Sequence, residues 1–136
     1  MLNRILPAQT ERVYAVLRIV AGLLFAFHGV QKIFGYQFPP EYLPKIGSQA
    51  WIGGIIEMAT GIAMALGLCT RWAGFLASGT MAVAYIQFHW KLAFGAAFFP
   101  AVNQGELAVV YCFLFLYFAC RGSGIWSVDH QRKLKG

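Results

Sequence analysis

The chain has 136 residues, of which 59% are hydrophobic and only 12% charged, and its mean hydropathy is +0.59. A soluble domain carries about a quarter charged residues; half that supply cannot cover a water-facing surface, which excludes a disordered chain, a nucleic-acid-binding domain and most soluble enzymes. What remains is a single integral membrane domain over residues 1–136, in which the net charge of +6 reads as an orientation signal.

A helix needs about 20 mostly apolar residues to cross the hydrocarbon core. Four such stretches follow one another, at about 13–34, 51–69, 72–90 and 105–119, so the expected fold is all-α, a four-transmembrane-helix bundle. The first has basic residues ahead of it, but its apolar run is too long for a signal peptide and no A-x-A site closes it, so it reads as a retained anchor. Pro39, Pro40 and Pro44 break the link to the second. Thr70 and Arg71 form a tight hairpin into the third. The link to the fourth, Lys91 to Gln104, holds Leu92, Phe94, Phe98 and Phe99 beside Gly95 and Pro100; it reads as a loop lying in the interface or folding back over the bundle. Trp51, Trp72, Trp90 and Trp126 fall at or just beyond the span ends, where amphipathic rings settle at headgroup level.

Lys and Arg set the orientation. Arg4, Arg12, Arg18, Arg71, Arg121, Arg132, Lys133 and Lys135 lie on one side, and Lys32, Lys45 and Lys91 on the other. The positive-inside rule places both termini and the hairpin in the cytoplasm.

Ionisable side chains deep in a span cost about 2.5–3.5 kcal/mol each on insertion scales, so they face partners or a water-filled cavity. Here they gather at one depth. His28, Gln31 and Lys32 share a face at the end of the first span. Glu57 lies six residues into the second, about 9 Å below its start. Gln87 and His89 close the third, and Asn103, Gln104 and Glu106 open the fourth. Because the helices alternate in direction, all these groups fall in the outer third of the membrane. The expectation is a polar pocket of His28, Lys32, Glu57, His89 and Glu106, with Gln31, Gln87 and Asn103 around it, paired as Lys32 with Glu57 and His89 with Glu106.

Plainer readings stand beside these. Lys32 snorkels outward from a helix end. Asn103 and Glu106 have capping-box spacing, with Asn103 as N-cap. His89 beside Trp90 is an interfacial residue. Arg18 reaches back to cytoplasmic headgroups. Glu57 is too deep for such an account. Two histidines on different spans raise bis-His haem, but their depths differ and haem is not expected. Cys69, Cys112 and Cys120 read as small apolar fillers, with no metal-ligand spacing and so no metal site. Gly53, Glu57, Gly61 and Ala65 recur every four residues, as do Gly74, Ser78 and Ala82; small-residue stripes let helix backbones approach closely. A bundle packed through the first stripe carries Glu57 to its centre.

The segments LRIVAGLLFAFHGVQKIFG, GGIIEMATGIAMALGLCTRWAGFL, NQGELA and RGSGIWSVD together resemble the DoxX family of small bacterial four-helix inner-membrane proteins. The resemblance runs from about Arg18 to Asp129. Its matching positions are Arg18, Gly29, Lys32, Glu57, Gly61, Gly67, Thr70, Arg71, Gly105, Glu106, Gly122, Gly124, Ser127 and Asp129. It implies a multi-pass bundle in the bacterial plasma membrane. It also implies a membrane subunit of a quinone-linked sulfur or thiol oxidoreductase complex, or a part in thiol-oxidative stress defence. The chain shows no flavin, haem or iron–sulfur signature and no paired cysteines on the outer side.

Three functions compete. In the first, the outer pocket (His28, Gln31, Lys32, Glu57, His89, Glu106) binds a quinone headgroup for a redox complex, with Phe27, Phe34 and Tyr85 stacking on the ring; the chain is then at most a subunit of an enzyme. In the second it is a small oligomeric transporter or permeation protein. In the third it is an assembly partner without chemistry. The lipid bilayer is a partner in each, with other subunits or further copies of the chain as candidates.

Overall fold

The computed structural model describes residues 2–37 and 39–135, with side chains from residue 5 onward, and every regular element among them is helical. Arg4, counted in the charge balance, has its side chain outside the described residues. The α-helices are α1 (Leu2–Ala8), α2 (Thr10–Phe34), α3 (Gln49–Leu66), α4 (Thr70–Ala84), α5 (Pro100–Asn103), α6 (Glu106–Arg121) and α7 (Val128–Lys135). The four long ones, α2, α3, α4 and α6, correspond to the four apolar stretches.

Local chemistry sets their ends. Gly35 and Gly67 take left-handed conformations, at φ 67° and 68°, and close α2 and α3; glycine meets no Cβ penalty there. Ser48 starts α3 by accepting a hydrogen bond from the Trp51 N–H at 3.3 Å. The third stretch departs from expectation. Its α-helix stops at Ala84 and continues as a π-helical turn over Tyr85–Trp90, closed by the Lys91 N–H on the Ile86 carbonyl at 2.8 Å. The second ends at Leu66 rather than Cys69, and the short helices α1, α5 and α7 were not expected.

Among the described residues, two helices, Thr10–Phe34 and Gln49–Leu66, are long and apolar enough to cross a membrane. At 15 and 16 residues, α4 and α6 are about 23 Å long.

α2 packs on α3 backbone to backbone. A Cβ on Gly61 would stand 2.5 Å from the Ala26 nitrogen, and one on Gly22 2.6 Å from the Ala65 nitrogen. The stripe on α3 therefore runs through Gly54, Gly61 and Ala65. Gly53, expected on it, faces open space. α4 meets α6 in the same way: Gly74 lies against the Phe115 carbonyl, and Ser78 Oγ donates to the Cys112 carbonyl at 2.8 Å. Phe25, Tyr111, Phe115 and Phe118 fill the centre.

The exterior is greasier than a water-facing surface allows. Leu23, Trp72 and Phe113 are 56%, 73% and 67% exposed, whereas Arg18, Glu57, Thr60, Thr70 and Ser78 are buried. Polar groups inside and apolar groups outside are the arrangement that lipid selects.

One end of the bundle is clamped by the tail. Arg18 is fully buried and does not reach for headgroups. Its Nη1 donates to the Met64 and Ala65 carbonyls at the end of α3, at 2.5 and 3.0 Å, and its Nη2 to the Trp126 carbonyl at 2.9 Å. Arg71 donates to the Ala119 and Cys120 carbonyls at the end of α6. The Tyr14 hydroxyl donates to the Gly122 carbonyl. The Ala65, Ala119 and Cys120 carbonyls lie at helix C-termini, where partners along the same helix run out; the Met64 carbonyl also takes the Gly67 N–H at 3.1 Å.

Candidate functional site

At the opposite end, the close approach of α2 and α3 brings Lys32 and Glu57 together. A Cβ on Gly54 would lie 2.9 Å from Lys32 Cβ, so a side chain there would push the lysine stem away. Lys32 Nζ donates to Glu57 Oε1 at 2.6 Å. The Glu57 side chain is only 3% exposed and that of Lys32 30%. The second carboxylate oxygen, Oε2, is buried and has no hydrogen-bond partner.

Both residues line a cavity of about 650 Å³ between α3 and α4. Ile56, Phe75, Leu76, Val83 and Phe88 make most of its wall, His89 from the π turn borders it, and Tyr42 and Gln49 lie at its margin. Phe75, Leu76, Val83 and Phe88 are themselves exposed, so the cavity opens sideways, toward the face that lipid would cover. Its volume is that of a small-molecule site: apolar walls with few, convergent polar groups.

The other residues of the expected pocket scatter around this pair. His28, half-buried one turn before Lys32, does not line the cavity. Gln31 is half-buried, and its carbonyl closes α2 on the Gly35 N–H. Gln87 is exposed and accepts from Gln49 Nε2 at 2.5 Å, tying the π turn to the start of α3. His89 does not pair with Glu106: its Nδ1 lies 3.2 Å from the Asn103 carbonyl, and Glu106 is exposed at the start of α6. The loop before α6 turns its backbone toward the histidine, leaving the glutamate outside.

Asn103 does not form the expected capping box either. The residue before α6 is Gly105. Asn103 Oδ1 accepts from the Gly105 N–H at 2.8 Å, and its amide donates to the Ala97 carbonyl at 2.9 Å and the Tyr85 hydroxyl at 3.3 Å. It therefore folds the 95–105 loop onto the π turn. Phe27 points away, edge-on to Tyr36, and the Tyr85 hydroxyl donates to the Phe98 carbonyl. The rings at the cavity are those of Tyr42, Phe75 and Phe88 instead. Gly79, between Phe75 and Val83 on the same face of α4, has nothing within 4 Å of where a Cβ would stand and leaves the cleft open beside them. Asp129 was also missed as a structural group; its carboxylate bonds the Cys69 and Thr70 N–H groups. Among the described residues, no group of three or more His, Cys, Asp or Glu side chains is placed to hold a metal ion.

An apolar exterior around glycine-packed helices, with one buried ion pair beside a lateral cavity, defines a helical membrane protein. Residues 13–90 match the DoxX family, more than half of the chain, and the chain belongs to that family. An "Uncharacterized protein" of Haemophilus influenzae is 39% identical over 121 residues, covering 86% of this chain and 88% of the relative. A Bacillus subtilis protein named "Putative oxidoreductase CatD" is 26% identical over 117 residues, covering 84% of this chain and 82% of the relative. No solved structure matches the chain.

Proposed function

We propose that the chain is a four-spanning subunit of a quinone-linked redox complex in the bacterial inner membrane, with the α3–α4 cavity receiving the quinone ring. The observation that carries this reading is the Lys32–Glu57 ion pair set in the wall of an apolar, laterally open cavity. A ligand dissolved in lipid reaches such a site without crossing water. The name of the Bacillus relative, an oxidoreductase, agrees with it.

The four spans are α2, α3, α4 with its π turn, and α6. From Thr70 to Trp90 the third has the length that a crossing needs. α6 is shorter, and a short span is accommodated by local thinning of the bilayer. The excess of Lys and Arg at the clamped end supports a cytoplasmic position for that end and both termini. The cavity then lies toward the outer face.

The residues fit a quinone. Lys32 Nζ is a donor for a ring oxygen of either redox form, and Glu57 an acceptor for the hydroxyl of the reduced form. Phe75 and Phe88 present rings to the ligand and exclude water. When bound, a quinone supplies two-electron, two-proton redox chemistry. The chain's part is to hold the ring, orient its oxygens, and keep an ionisable carboxylate at Glu57 beside them. The electrons come from another subunit.

Purification in mild detergent, with quinone measured in the lipid extract, tests the reading. Quinone, counted as oxidised and reduced forms together, is expected to be retained by the intact protein and lost from folded Glu57→Leu and Lys32→Met variants. No quinone in the intact protein, or equal retention in the variants, would overturn it.

A further inference from the structure

Glu57 Oε2 is the feature that the ion pair leaves unexplained. Oε1 takes the Lys32 ammonium at 2.6 Å, while Oε2 is buried without any partner in a residue that is 2% exposed and borders the cavity. A buried carboxylate oxygen without a donor is costly; a small rotation about the soft terminal torsion of Glu57 turns Oε2 to the cavity that the residue borders, where a ligand that supplies a donor removes that cost.

We infer that the cavity selects a ring-shaped apolar molecule bearing a hydroxyl group, and so takes the hydroquinone form in preference to the quinone. This rests on the reading of the cavity as a quinone site. The two forms share a carbon skeleton and differ in hydrogen-bond character. A quinone carbonyl only accepts, so it brings one lone pair against another at Oε2. A hydroquinone hydroxyl donates there and forms a charge-assisted bond, the stronger kind. Lys32, its side chain 30% exposed at the same wall, donates from Nζ to an oxygen of either form and does not discriminate. Preference therefore comes from Glu57 alone, by the unfavourable contact with the wrong form as much as by the bond to the right one.

Titration calorimetry of the purified protein in detergent, under argon, with tetramethylhydroquinone and tetramethylbenzoquinone tests this. The intact protein is expected to bind the hydroquinone about ten-fold tighter or more. In Glu57→Gln, whose amide supplies a donor of its own, the ratio is expected to fall to one or invert. Trimethylphenol against its methyl ether, on the intact protein, repeats the comparison without redox chemistry and without a variant that must fold. Equal binding of the two forms, or tighter binding of the quinone, would overturn the inference and leave the cavity reading standing. Binding of neither form beyond micelle partition would remove both.

Discussion

Arg18 Nη1, on α2, lies 2.5 Å from the Met64 carbonyl at the end of α3. A cation at a helix C-terminus meets the negative end of the macrodipole and supplies donors to orphan carbonyls. The same guanidinium also holds the Trp126 carbonyl, so one side chain joins α2, α3 and the tail. Arg18→Met leaves the Ala65 and Trp126 carbonyls without the guanidinium and the Met64 carbonyl with only the Gly67 N–H. The expected loss is about 3 kcal/mol or more, read as a fall of roughly 10 °C in the detergent Tm. Arg18→Lys should recover only part of it, because an ammonium lacks the planar fork. An unchanged Tm would mean that water satisfies the carbonyls.

Asp129 does the complementary work at the start of α4. Its Oδ1 accepts from the Cys69 N–H at 3.1 Å and its Oδ2 from the Thr70 N–H at 3.3 Å, a helix cap supplied from 60 residues away. Asp129→Ala should cost about 1–2 kcal/mol, and Asp129→Asn less. Trypsin should cut at Arg132 and Lys133 faster in the alanine variant, since the same cap anchors α7. Equal cleavage rates would show that the carboxylate is not needed, the tail being held by Arg18, Tyr14 and the Asp129 N–H on the Gly67 carbonyl.

How far the sequence reveals these contacts depends on whether they follow helical periodicity. Lys32 and Glu57 could be paired in advance, since depth in an antiparallel hairpin is arithmetic on residue number. Gly61 could be placed on an interface for the same reason. Gly53 could not be told from Gly54, because a strict four-residue stripe drifts off a 3.6-residue helix. Arg18 near a span end reads as a snorkelling cation until the tail's path is known. The bonds of Asp129 to Cys69 and of His89 to Asn103 run through loop backbone, which has no period to read. The π turn at Tyr85–Trp90 likewise leaves no pattern in the apolar residues.

Glycine packing gives a paired prediction. A Cβ on Gly61 would collide with backbone at 2.5 and 2.6 Å, whereas one on Gly53 meets nothing within 4 Å. Gly61→Ala must separate α2 from α3, at a cost of about 1–3 kcal/mol, and stretch the Lys32–Glu57 pair. Gly53→Ala should leave Tm unchanged. Parallel thermal melts decide it, and equal losses in both would contradict the packing described above.

Orientation is open to thiol labelling. Cys69 and Cys120 are exposed at the clamped end, and Ile46, 86% exposed, lies in the loop at the other. In intact cells, a membrane-impermeant maleimide should miss both native thiols and label Ile46→Cys on a background lacking the native cysteines. Permeabilisation should expose Cys69 and Cys120. The reverse pattern would invert the bundle.

The Lys32–Glu57 pair sets a test in which two substitutions should do less harm than one. Lys32→Met leaves a carboxylate buried and uncompensated, which costs about 3–5 kcal/mol, while replacing both partners with apolar groups of similar volume removes the charge along with its partner. Lys32→Met with Glu57→Leu should therefore be markedly more stable than Lys32→Met alone. A double-mutant cycle of detergent melts measures the difference, and a coupling near zero would mean that the ammonium contributes little to holding the carboxylate in place. If the double variant folds as well as the intact protein yet retains no quinone, the pair is present for ligand binding rather than for stability. A buried ion pair that can be exchanged for hydrocarbon at no cost to the fold needs another reason to be there, and the unpartnered Glu57 Oε2 beside an open cavity supplies it.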